Sequence, residues 1–367
     1  MSRLRIHEWK GFEAVGNLSL IDHPKVAVLN SSQGKQPTGS KPWVSGTVRA
    51  YTAIDSDQVA ITSVGMNSWE LSCHLAQCRE VSQICLVPLK SNNNLEEECE
   101  EILSQFDLEP ETVCFLGVSS QLGSVKGNWL KRDALAIDLA DTVLPVSTRK
   151  GGKIENLILD LARQKKVCTD FQAEWEKSEP RQPYYLNPEW IAERFGREMK
   201  GWVFHWTRAA DGPWPGEKKS NYYRDILASD KEYPRSAKRT LERILDEKKI
   251  RASSRRIRGK SKVVAFSGLP PSESGHLFTW RKRYARFNAE PFGIGIHPDL
   301  AKEIGIQPVV YLRDGRSGGE APVHLRQSAG IVGDWPRERE SRCLGDVDLS
   351  ILPDEGYRGV TLVEAGS

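Results

Sequence analysis

The stretch Val26-Ala27-Val28-Leu29-Asn30-Ser31-Ser32-Gln33-Gly34 decides the fold of the first half of this chain. Its apolar run has the length and the side chains of a short buried strand, and the polar, glycine-containing run that follows is typical of a loop. Similar apolar runs return at 59–63, 84–89, 113–116 and 142–146, and helical patterns separate several of them, for example at 69–78 and 130–139. This alternation predicts a parallel sheet that helices cover on both faces.

Polar loops follow the ends of these predicted strands. Asn30, Ser31 and Ser32 follow the first strand, and Ser63-Val64-Gly65 closes the second. In sheets of this class, ligands bind beyond the carboxyl ends of the strands. We therefore expect a ligand site where these loops meet.

Length and composition indicate a globular protein of two domains. The chain has 367 residues, 39% of them hydrophobic and 28% charged, and a single core rarely extends over so many residues. Apolar runs stay well short of the ~20 residues that a membrane helix needs. The N-terminus leads into polar sequence, unlike a signal peptide. We expect a cytoplasmic protein without membrane contact.

Charge and cysteine usage narrow the functional classes. The net charge of +3 is too small to indicate nucleic-acid binding by itself. Eight basic residues nevertheless lie between Lys248 and Lys262. We interpret them as a solvated connector, and a nucleic-acid surface remains the alternative. The seven cysteines form no CxxC pair, so we expect reduced, mostly buried thiols and no metal site.

The second half predicts an α+β domain. A proline-punctuated polar segment at 179–199 is expected to link a first domain, residues 1–178, to a second domain, residues 200–367. The first domain is expected to end in a helix over 154–175. The second domain shows short strand patterns around 202–207, 263–267, 292–296 and 307–312, with a helix at 236–247 and a helical aromatic-basic segment at 280–287.

Four motifs of the first half belong together: Val28-Leu29-Asn30-Ser31-Ser32-Gln33, Thr62-Ser63-Val64-Gly65-Met66, Lys131-Arg132-Asp133 at a helix start, and Ala140-Asp141 before a strand that ends in Arg149-Lys150-Gly151-Gly152. They resemble the Rossmann-like SLOG superfamily, which includes the DNA-processing protein A family and the lysine-decarboxylase-like phosphoribohydrolases. The resemblance covers about residues 20–165. The phosphoribohydrolase loop PGGxGTxxE is absent, and Gly151-Gly152-Lys153-Ile154-Glu155 is only a faint echo of it. The resemblance therefore implies a nucleotide-binding domain more than a hydrolase, with the glycine amides and a helix N-terminus facing a phosphate. The implied nucleotide-binding residues are Asn30, Ser31, Ser32, Ser63, Gly65, Arg132, Asp133, Gly151 and Gly152.

The second half resembles the abortive-infection AbiGi-type families and, through them, the ADP-ribosyltransferase fold. The order His205-Trp206-Thr207, then Phe266-Ser267, then Glu338-Arg339-Glu340 matches the three-part layout of that fold. The resemblance implies that NAD is the substrate and that the catalytic residues are Glu340, Glu338, His205 and Ser267. It assigns to Glu340 the polarisation of a ribose hydroxyl and to His205 the orientation of the ribose and nicotinamide. The expected NAD contacts are Thr207, Arg208, Tyr284 and Arg286.

Together these resemblances imply a prokaryotic antiphage defence protein, in which a nucleotide-sensing domain is coupled to an NAD-dependent ADP-ribosyltransferase-like effector. The expected partners are a nucleotide or NAD-derived ligand, with nucleic acid or a phage component as alternatives, and a homo-oligomer is expected. Two other functions remain open: an NAD glycohydrolase, in which water replaces the acceptor, and a non-enzymatic protein that binds DNA or nucleotides.

Overall fold

The computed structural model describes residues 5–89, 94–119, 125–161, 166–177, 181–196, 198–254, 257–312, 321–329 and 335–364. The chain folds into two compact units. The first consists of Met1–Ser178 and Gly216–Pro234, and the second of Glu179–Pro215 and Arg235–Ser367.

The α-helices of the described residues are α1 (Pro42–Thr52), α2 (Asn67–Cys78), α3 (Leu95–Phe106), α4 (Val125–Leu139), α5 (Lys153–Leu161), α6 (Pro188–Phe195), α7 (Lys219–Ala228), α8 (Ala237–Glu247) and α9 (Pro298–Glu303). The strands of the first unit are β1 (Ile6–Trp9), β2 (Phe12–Gly16), β3 (Lys25–Asn30), β4 (Val59–Ser63), β5 (Gln83–Pro88), β6 (Val113–Val118), β7 (Thr142–Ser147) and β8 (Lys166–Val167). Those of the second unit are β9 (Val203–Trp206), β10 (Lys249–Ile250), β11 (Val263–Ser267), β12 (Trp280–Arg281), β13 (Arg286–Phe287), β14 (Phe292–Ile296), β15 (Gln307–Pro308), β16 (Val310–Leu312), β17 (Arg326–Ser328), β18 (Glu340–Leu344), β19 (Val347–Asp348) and β20 (Tyr357–Thr361).

The first unit is built on one sheet in the order β1-β2-β6-β5-β4-β3-β7-β8. The six strands from β6 to β8 are parallel, and the β1–β2 hairpin adds antiparallel strands at one edge. Strands β4 and β6 are buried along their whole length, as expected when helices cover both faces of a sheet. The predicted α/β class is confirmed.

Helix α5, which is predicted to end the first domain, is shorter than expected. The pattern over 154–175 predicts one helix, but α5 ends at Leu161. Residues 162–165 lie outside the described part of the chain, and β8 follows as the edge strand of the sheet. From Val167 onward the chain carries no regular 3.6-residue apolar stripe, so nothing would hold a helix against the core.

Segment Gly216–Pro234 packs with the first unit, although its position in the sequence places it within the expected second domain. Its helix α7 buries Tyr222, Tyr223 and Ile226. The ring of Tyr223 stacks on Phe106 of α3 with a centroid distance of 6.3 Å. Burial of these apolar rings stabilises the packing of this segment with the first unit rather than with the residues that flank it in sequence.

The second unit is built on an antiparallel sheet in the order β15-β18-β11-β9-β14-β20, which confirms the α+β class. Its two faces carry separate cores, because side chains alternate along each strand. Val264 and Phe266 pack in one core with Ile294, and Phe204 packs in the other with Val360.

The segment 179–199 differs from a simple linker. It contains α6, whose Asn187 cap accepts hydrogen bonds from the amides of Glu189 and Trp190. Ile191 and Phe195 of this helix belong to the core that contains Phe204. Burial of these two side chains makes the segment part of the second unit.

The aromatic-basic segment at 280–287 is a hairpin and not the predicted helix. Strands β12 and β13 pair with Trp280 opposite Phe287, and Ala285 at the turn has φ of 46°. The cross-strand contact between these two rings, with centroids 5.1 Å apart, stabilises the hairpin.

Two expectations about chemistry can be compared with the described residues. All seven cysteines are free thiols, and five of them are buried. Within the ranges given above, no group of three or more His, Cys, Asp or Glu side chains is placed to hold a metal ion. Among the helices of those ranges, none is long and apolar enough to cross a bilayer.

Strand β14 depends on glycine where it faces aromatic residues of β9. Gly293 lies opposite Trp206, and Gly295 lies opposite Phe204. The rings of Phe204 and Trp206 stack at 5.5 Å over this strand. A Cβ at position 293 would lie 2.7 Å from the carbonyl oxygen of His205 and 2.7 Å from Trp206 Cε3.

We predict that Gly293→Ala lowers the free energy of unfolding by about 1–3 kcal/mol, because overpacking against a neighbouring backbone is not relieved by a side-chain rotation. Urea unfolding of the full chain measures this change. Gly212→Ala is the control, since a Cβ at Gly212 meets no atom within 4 Å. Equal losses for the two variants would contradict the packing argument.

Candidate functional sites

The first candidate site lies at the carboxyl ends of β3 and β7, which are parallel neighbours in the sheet. The amide of Ser31 donates to the carbonyl of Ser147 at 2.8 Å, and the amide of Arg149 donates to Ser31 Oγ at 2.8 Å. The chain leaves β3 toward one side of the sheet order and reaches β7 on the other, so a crevice opens between the two strands. Asn30 is buried and donates to Thr47 Oγ1 at 3.0 Å.

A cleft of about 560 Å³ lies at the end of β7 and includes Thr148, Arg149, Lys150, Glu155 and Trp175 in its lining; we call it the switch-point cleft. Among the described residues, none of β3 or of the loop after it belongs to this lining. Trp175 Nε1 donates to the carbonyl of Ser32 at 3.1 Å, and the Arg149 guanidinium lies 5.6 Å from the Trp175 ring centroid. A cationic group beside an aromatic ring suits an anionic ligand with a flat base.

The Gly151-Gly152 turn does not present free amides in this cleft. Gly151, with φ of 66°, donates its amide to Glu155 Oε2 at 2.6 Å. The amide of Gly152 donates to the carbonyl of Arg149 at 2.8 Å. Both expected phosphate donors are therefore used within the chain, and the glycines serve the turn that starts α5.

The turn after β4 is also closed by the chain's own groups. Ser63 Oγ donates to the carbonyl of Leu86 at 2.6 Å, and the Gly65 amide donates to Glu70 Oε1 at 3.1 Å. Arg132 has an exposed fraction of 0% and donates to Asp133 Oδ1 at 2.8 Å. Burial raises the pKa of Asp133, and the guanidinium of Arg132 opposes that shift. The pair lies beneath the turn and supports it, because Arg132 also contacts the carbonyl of Val64 and the sulfur of Met66. Ligand binding by Arg132 and Asp133 stays a prediction.

The second unit contains a larger cleft of about 690 Å³, which we call the arginine cleft. Five cationic side chains and two carboxylates line it, together with Trp214 and a wall from β11. Its charged residues are Arg208, Arg243, Lys249, Arg251, Arg286, Asp211 and Glu247. Lys249 and Arg251 belong to the basic stretch, which is therefore more than a solvated connector; Arg255 and Arg256 of that stretch lie outside the described residues.

The guanidinium groups of this cleft are held by neighbouring side chains. Arg235 and Arg243 lie 4.0 and 4.7 Å from the ring centroid of Trp214. Glu247 accepts hydrogen bonds from Arg243 at 2.6 Å and from Arg251 at 3.1 Å. Stacking and ion pairs of this kind restrict the long side chains before a ligand binds.

Four of the expected NAD-site residues line the arginine cleft: His205, Thr207, Arg208 and Arg286. The hydroxyl of Thr207 lies 2.8 Å from the carbonyl oxygens of Ala237 and Phe292, so it is used within the chain. Arg286 is buried and pairs with Asp211 at 3.4 Å. Tyr284 does not belong to this lining, and its ring centroid lies 5.8 Å from the Arg286 guanidinium.

The loop that carries Arg208 is fixed from below by a buried carboxylate. Glu290 accepts from the amide of Ala209 at 2.6 Å and from the hydroxyl of Tyr184 at 2.5 Å, and its own amide donates to the carbonyl of Thr207 at 2.8 Å. A buried carboxylate with several donors is well satisfied. Glu290 therefore holds the loop in one conformation.

Ser267, Glu338 and Glu340 come together at one turn. Ser267 and Glu340 are cross-strand partners of β11 and β18, and Ser267 Oγ donates to the carbonyl of Glu338 at 2.8 Å. Glu340 pairs with the buried Arg342 at 2.8 Å. Burial and the neighbouring Glu340 raise the pKa of Glu338 to about 7, while Arg281 and a hydrogen bond from Asn288 act against that rise.

His205 does not join this turn. Phe204 is the partner of Ser267 across β9 and β11, so the adjacent His205 points to the other face of the sheet. There its Nδ1 lies 2.9 Å from the carbonyl oxygen of Ala265 and its ring contacts Phe266 at 5.8 Å. His205 and Glu340 therefore lie on opposite faces of the sheet, although the resemblance assigns both to one catalytic site, because order along the chain does not fix the face of a strand.

Asn288 connects the two groups of residues and was not among the expected ones. It lines the arginine cleft, and its side-chain amide lowers the pKa of Glu338. Trp214, Arg149 and Trp175 were also missed as site residues. Only Trp214 carried a usable signal, since the loop Asp211-Gly212-Pro213-Trp214-Pro215 exposes an aromatic residue among prolines and glycines.

Comparisons with known proteins give a likeness for less than half of the chain. Over 45% of this chain and 80% of the other, it is similar to DNA processing protein A from Helicobacter pylori, a structure described for its single-stranded DNA binding mode, at 16% identity and a TM-score of 0.33. Over 46% of this chain and 67% of the other, it is similar to DNA processing protein A from Streptococcus pneumoniae, at 14% identity and a TM-score of 0.32. No protein-family model and no curated protein matches the chain. These likenesses do not identify a ligand for this chain.

The raised pKa of Glu338 predicts a pH-dependent stability. The unfolded chain loses this proton near pH 4.5 and the folded chain near pH 7, so the stability that the neutral carboxyl contributes is complete below pH 4.5 and is lost as pH rises through 7. We predict that Glu338→Gln matches the wild type in urea at pH 4.5 and exceeds it at pH 8 by on the order of 1 kcal/mol, after allowance for solvent screening.

Glu340→Gln is the contrasting variant in the same measurement. It removes the ion pair with Arg342, which is 2% exposed in its side chain, so it should lower stability at pH 8. A loss of stability for both variants at pH 8 would contradict the buried, neutral state of Glu338.

Proposed function

We propose that the second unit binds NAD in the arginine cleft and cleaves the bond between nicotinamide and ribose. The observation that carries this proposal is the position of Glu338. Asn288 lines the cleft, and its side-chain amide lowers the pKa of the Glu338 carboxyl, so Asn288 links this carboxyl group to a strongly cationic pocket.

The charge and size of the cleft support a dinucleotide ligand. Ligand pockets commonly measure about 300–1,000 Å³, and the arginine cleft measures about 690 Å³. The guanidinium groups of Arg208 and Arg243 offer the planar donors that match a pyrophosphate. Apolar side chains of Ile250 and Val264 complete the wall and suit a base or a nicotinamide ring.

The reaction requires groups that stabilise positive charge on the ribose. The C1′–N bond breaks, nicotinamide leaves with the bonding electron pair, and positive charge develops at C1′. An acceptor or a water molecule then forms the new bond at C1′ and loses a proton. In this proposal Glu340, held by Arg342, supplies fixed negative charge, and Glu338 accepts the proton, because a group with a pKa near 7 transfers protons well at neutral pH.

The test is to incubate the full chain with NAD and to follow free nicotinamide by mass. Glu338→Gln and Glu340→Gln should each lower the rate by about a hundredfold or more, as when a positioned charged group is removed. Glu303→Gln, an exposed acid of α9, should leave the rate unchanged. Equal nicotinamide release from all four proteins would refute the assignment.

Binding of nucleic acid is the second candidate function, and the cationic lining of the arginine cleft favours it independently. The same experiments separate the two functions. A chain that releases no nicotinamide, but binds single-stranded or duplex DNA with a steep salt dependence, would be a nucleic-acid-binding protein. A role in antiphage defence remains a proposal that rests on the resemblance.

We further infer that the first unit binds a nucleotide in the switch-point cleft. The glycine amides are occupied by Glu155 and by a backbone carbonyl, so the phosphate contacts fall to Arg149 and Lys150. Trp175, which lies beside Arg149, offers a face to the base. Ser31 and Ser32 do not line the cleft, but they accept hydrogen bonds from the Arg149 amide and from Trp175 Nε1 and so help to fix these two residues.

Calorimetric titration of the full chain with ATP tests this site. Arg149→Met should weaken binding about tenfold through the loss of one charge-assisted contact. Lys166→Met is the matched control, because Lys166 is an exposed cation of the same sheet on β8. An ATP affinity that is the same in the wild type and both variants would exclude this cleft as the phosphate site.

A further inference from the structure

Residues 211–234 form a segment whose two flanking residues are joined by a backbone hydrogen bond. In the second unit, the amide of Ala210 donates to the carbonyl of Arg235 at 2.9 Å. The Arg235 guanidinium lies 4.0 Å from the Trp214 ring centroid. The two ends of this segment therefore lie next to each other in the second unit, where Ala210 and Trp214 line the arginine cleft.

Most of this segment, Gly216–Pro234, packs in the first unit; we call this part the strap. The N-terminus of its helix α7 is bound by Asp107. Lys218 Nζ lies 2.5 Å from Asp107 Oδ1, and Ser220 Oγ donates to Asp107 Oδ2 at 2.6 Å. A carboxylate at this end of a helix is also favoured by the helix dipole.

The centre of α7 is bound by Glu70 of α2, whose side chain is 13% exposed. Glu70 Oε1 accepts from Lys219 Nζ at 2.8 Å, and Oε2 accepts from the Tyr223 hydroxyl at 3.0 Å. The same Oε1 accepts from the amide of Gly65 at 3.1 Å. One carboxylate thus joins the strap to the turn at the carboxyl end of β4.

The end of α7 is bound by the loop that follows β3. The amide of Gly39 donates to Ser229 Oγ at 3.1 Å, and Ser40 Oγ donates to the carbonyl of Asp230. Gly39 approaches the end of α7 so closely that a Cβ would lie 2.5 Å from the Ser229 carbonyl oxygen. This loop begins at Asn30 and Ser31 in the switch-point crevice.

We propose that the strap couples ligand binding at the carboxyl edge of the first unit to the conformation of the arginine cleft. The strap touches the loops after both β3 and β4, which are the loops that a ligand at this edge would move. Pro215 separates it from Trp214 at one end, and Arg235 follows it at the other. The inference rests on the proposed function only in that both clefts bind ligands, since the coupling itself needs no catalysis.

The coupling runs through the covalent chain. Pro213 and Pro215 fix two φ angles on either side of Trp214, and three residues, 216–218, separate Pro215 from the first residue of α7. The hydrogen bond between Ala210 and Arg235 keeps the two ends of the segment 211–234 together. We expect a shift of the strap to change the packing of Arg235 on Trp214, and linkage makes the effect reciprocal.

Hydrogen exchange on the full chain tests the proposal without any ligand. The variant Lys219→Met with Tyr223→Phe removes both bonds from Glu70 to the strap. We expect exchange about tenfold faster not only in the strap but also in peptides covering 205–215 and 235–245. Lys166→Met on β8 is the control and should leave all three regions unchanged. Faster exchange confined to the strap and the first unit would overturn the proposal.

A milder variant guards against general unfolding. Ser229→Ala removes only the hydroxyl that accepts from Gly39, and it should accelerate exchange in the same two peptides to a smaller degree. If NAD binds, it should also slow exchange in the 31–40 loop of the wild type and not in the double variant. Absence of NAD binding would contradict the proposed reaction, whereas unchanged exchange at 205–215 in both variants would contradict the coupling alone.

Discussion

The carboxylate of Glu70 is the interaction on which the arrangement of the first unit depends most. It accepts from a backbone amide, a lysine and a tyrosine hydroxyl, and these donors offset the cost of placing a charge where little water reaches. The turn after β4 and helix α7 are thereby held by one group. Loss of this carboxylate would leave the Tyr223 hydroxyl and the Gly65 amide without their acceptor, so its effect would extend beyond α2.

The turn after β7 is also held by a carboxylate that accepts a hydrogen bond from a glycine amide. Glu155 accepts from Gly151 as Glu70 accepts from Gly65, so each turn uses a carboxylate of the helix that follows it. An anionic ligand at either turn would have to displace that carboxylate and overcome its repulsion. The cationic side chains of Arg149 and Lys150 are therefore better placed than the backbone to receive a phosphate, and the glycine pattern alone is a poor guide to the ligand.

The parallel strands of the first unit could be predicted because each is a short apolar run bounded by polar turns, as in 26–29 and 59–63. The position of α7 could not, because the hydrogen bonds that hold it join residues between 111 and 190 positions apart, such as Lys219 and Glu70 with a separation of 149. In the second unit, the grouping of Ser267 with Glu340 followed from the order of motifs. His205 was misplaced because one residue of strand register decides which face a side chain occupies, and local sequence does not report register.

The two glutamates of the second unit show how position separates chemically identical groups. Glu340 lies on β18 within reach of the buried Arg342, while Glu338 lies two residues earlier, outside that strand, and faces Asn288. One environment provides a permanent counter-charge, and the other favours the neutral form. Carboxyl pairs whose surroundings push their protonation apart divide the roles of fixed charge and proton carrier between them. That division is the physical reason why we propose the Glu338–Glu340 turn as the catalytic site and the arginine cleft as the substrate site.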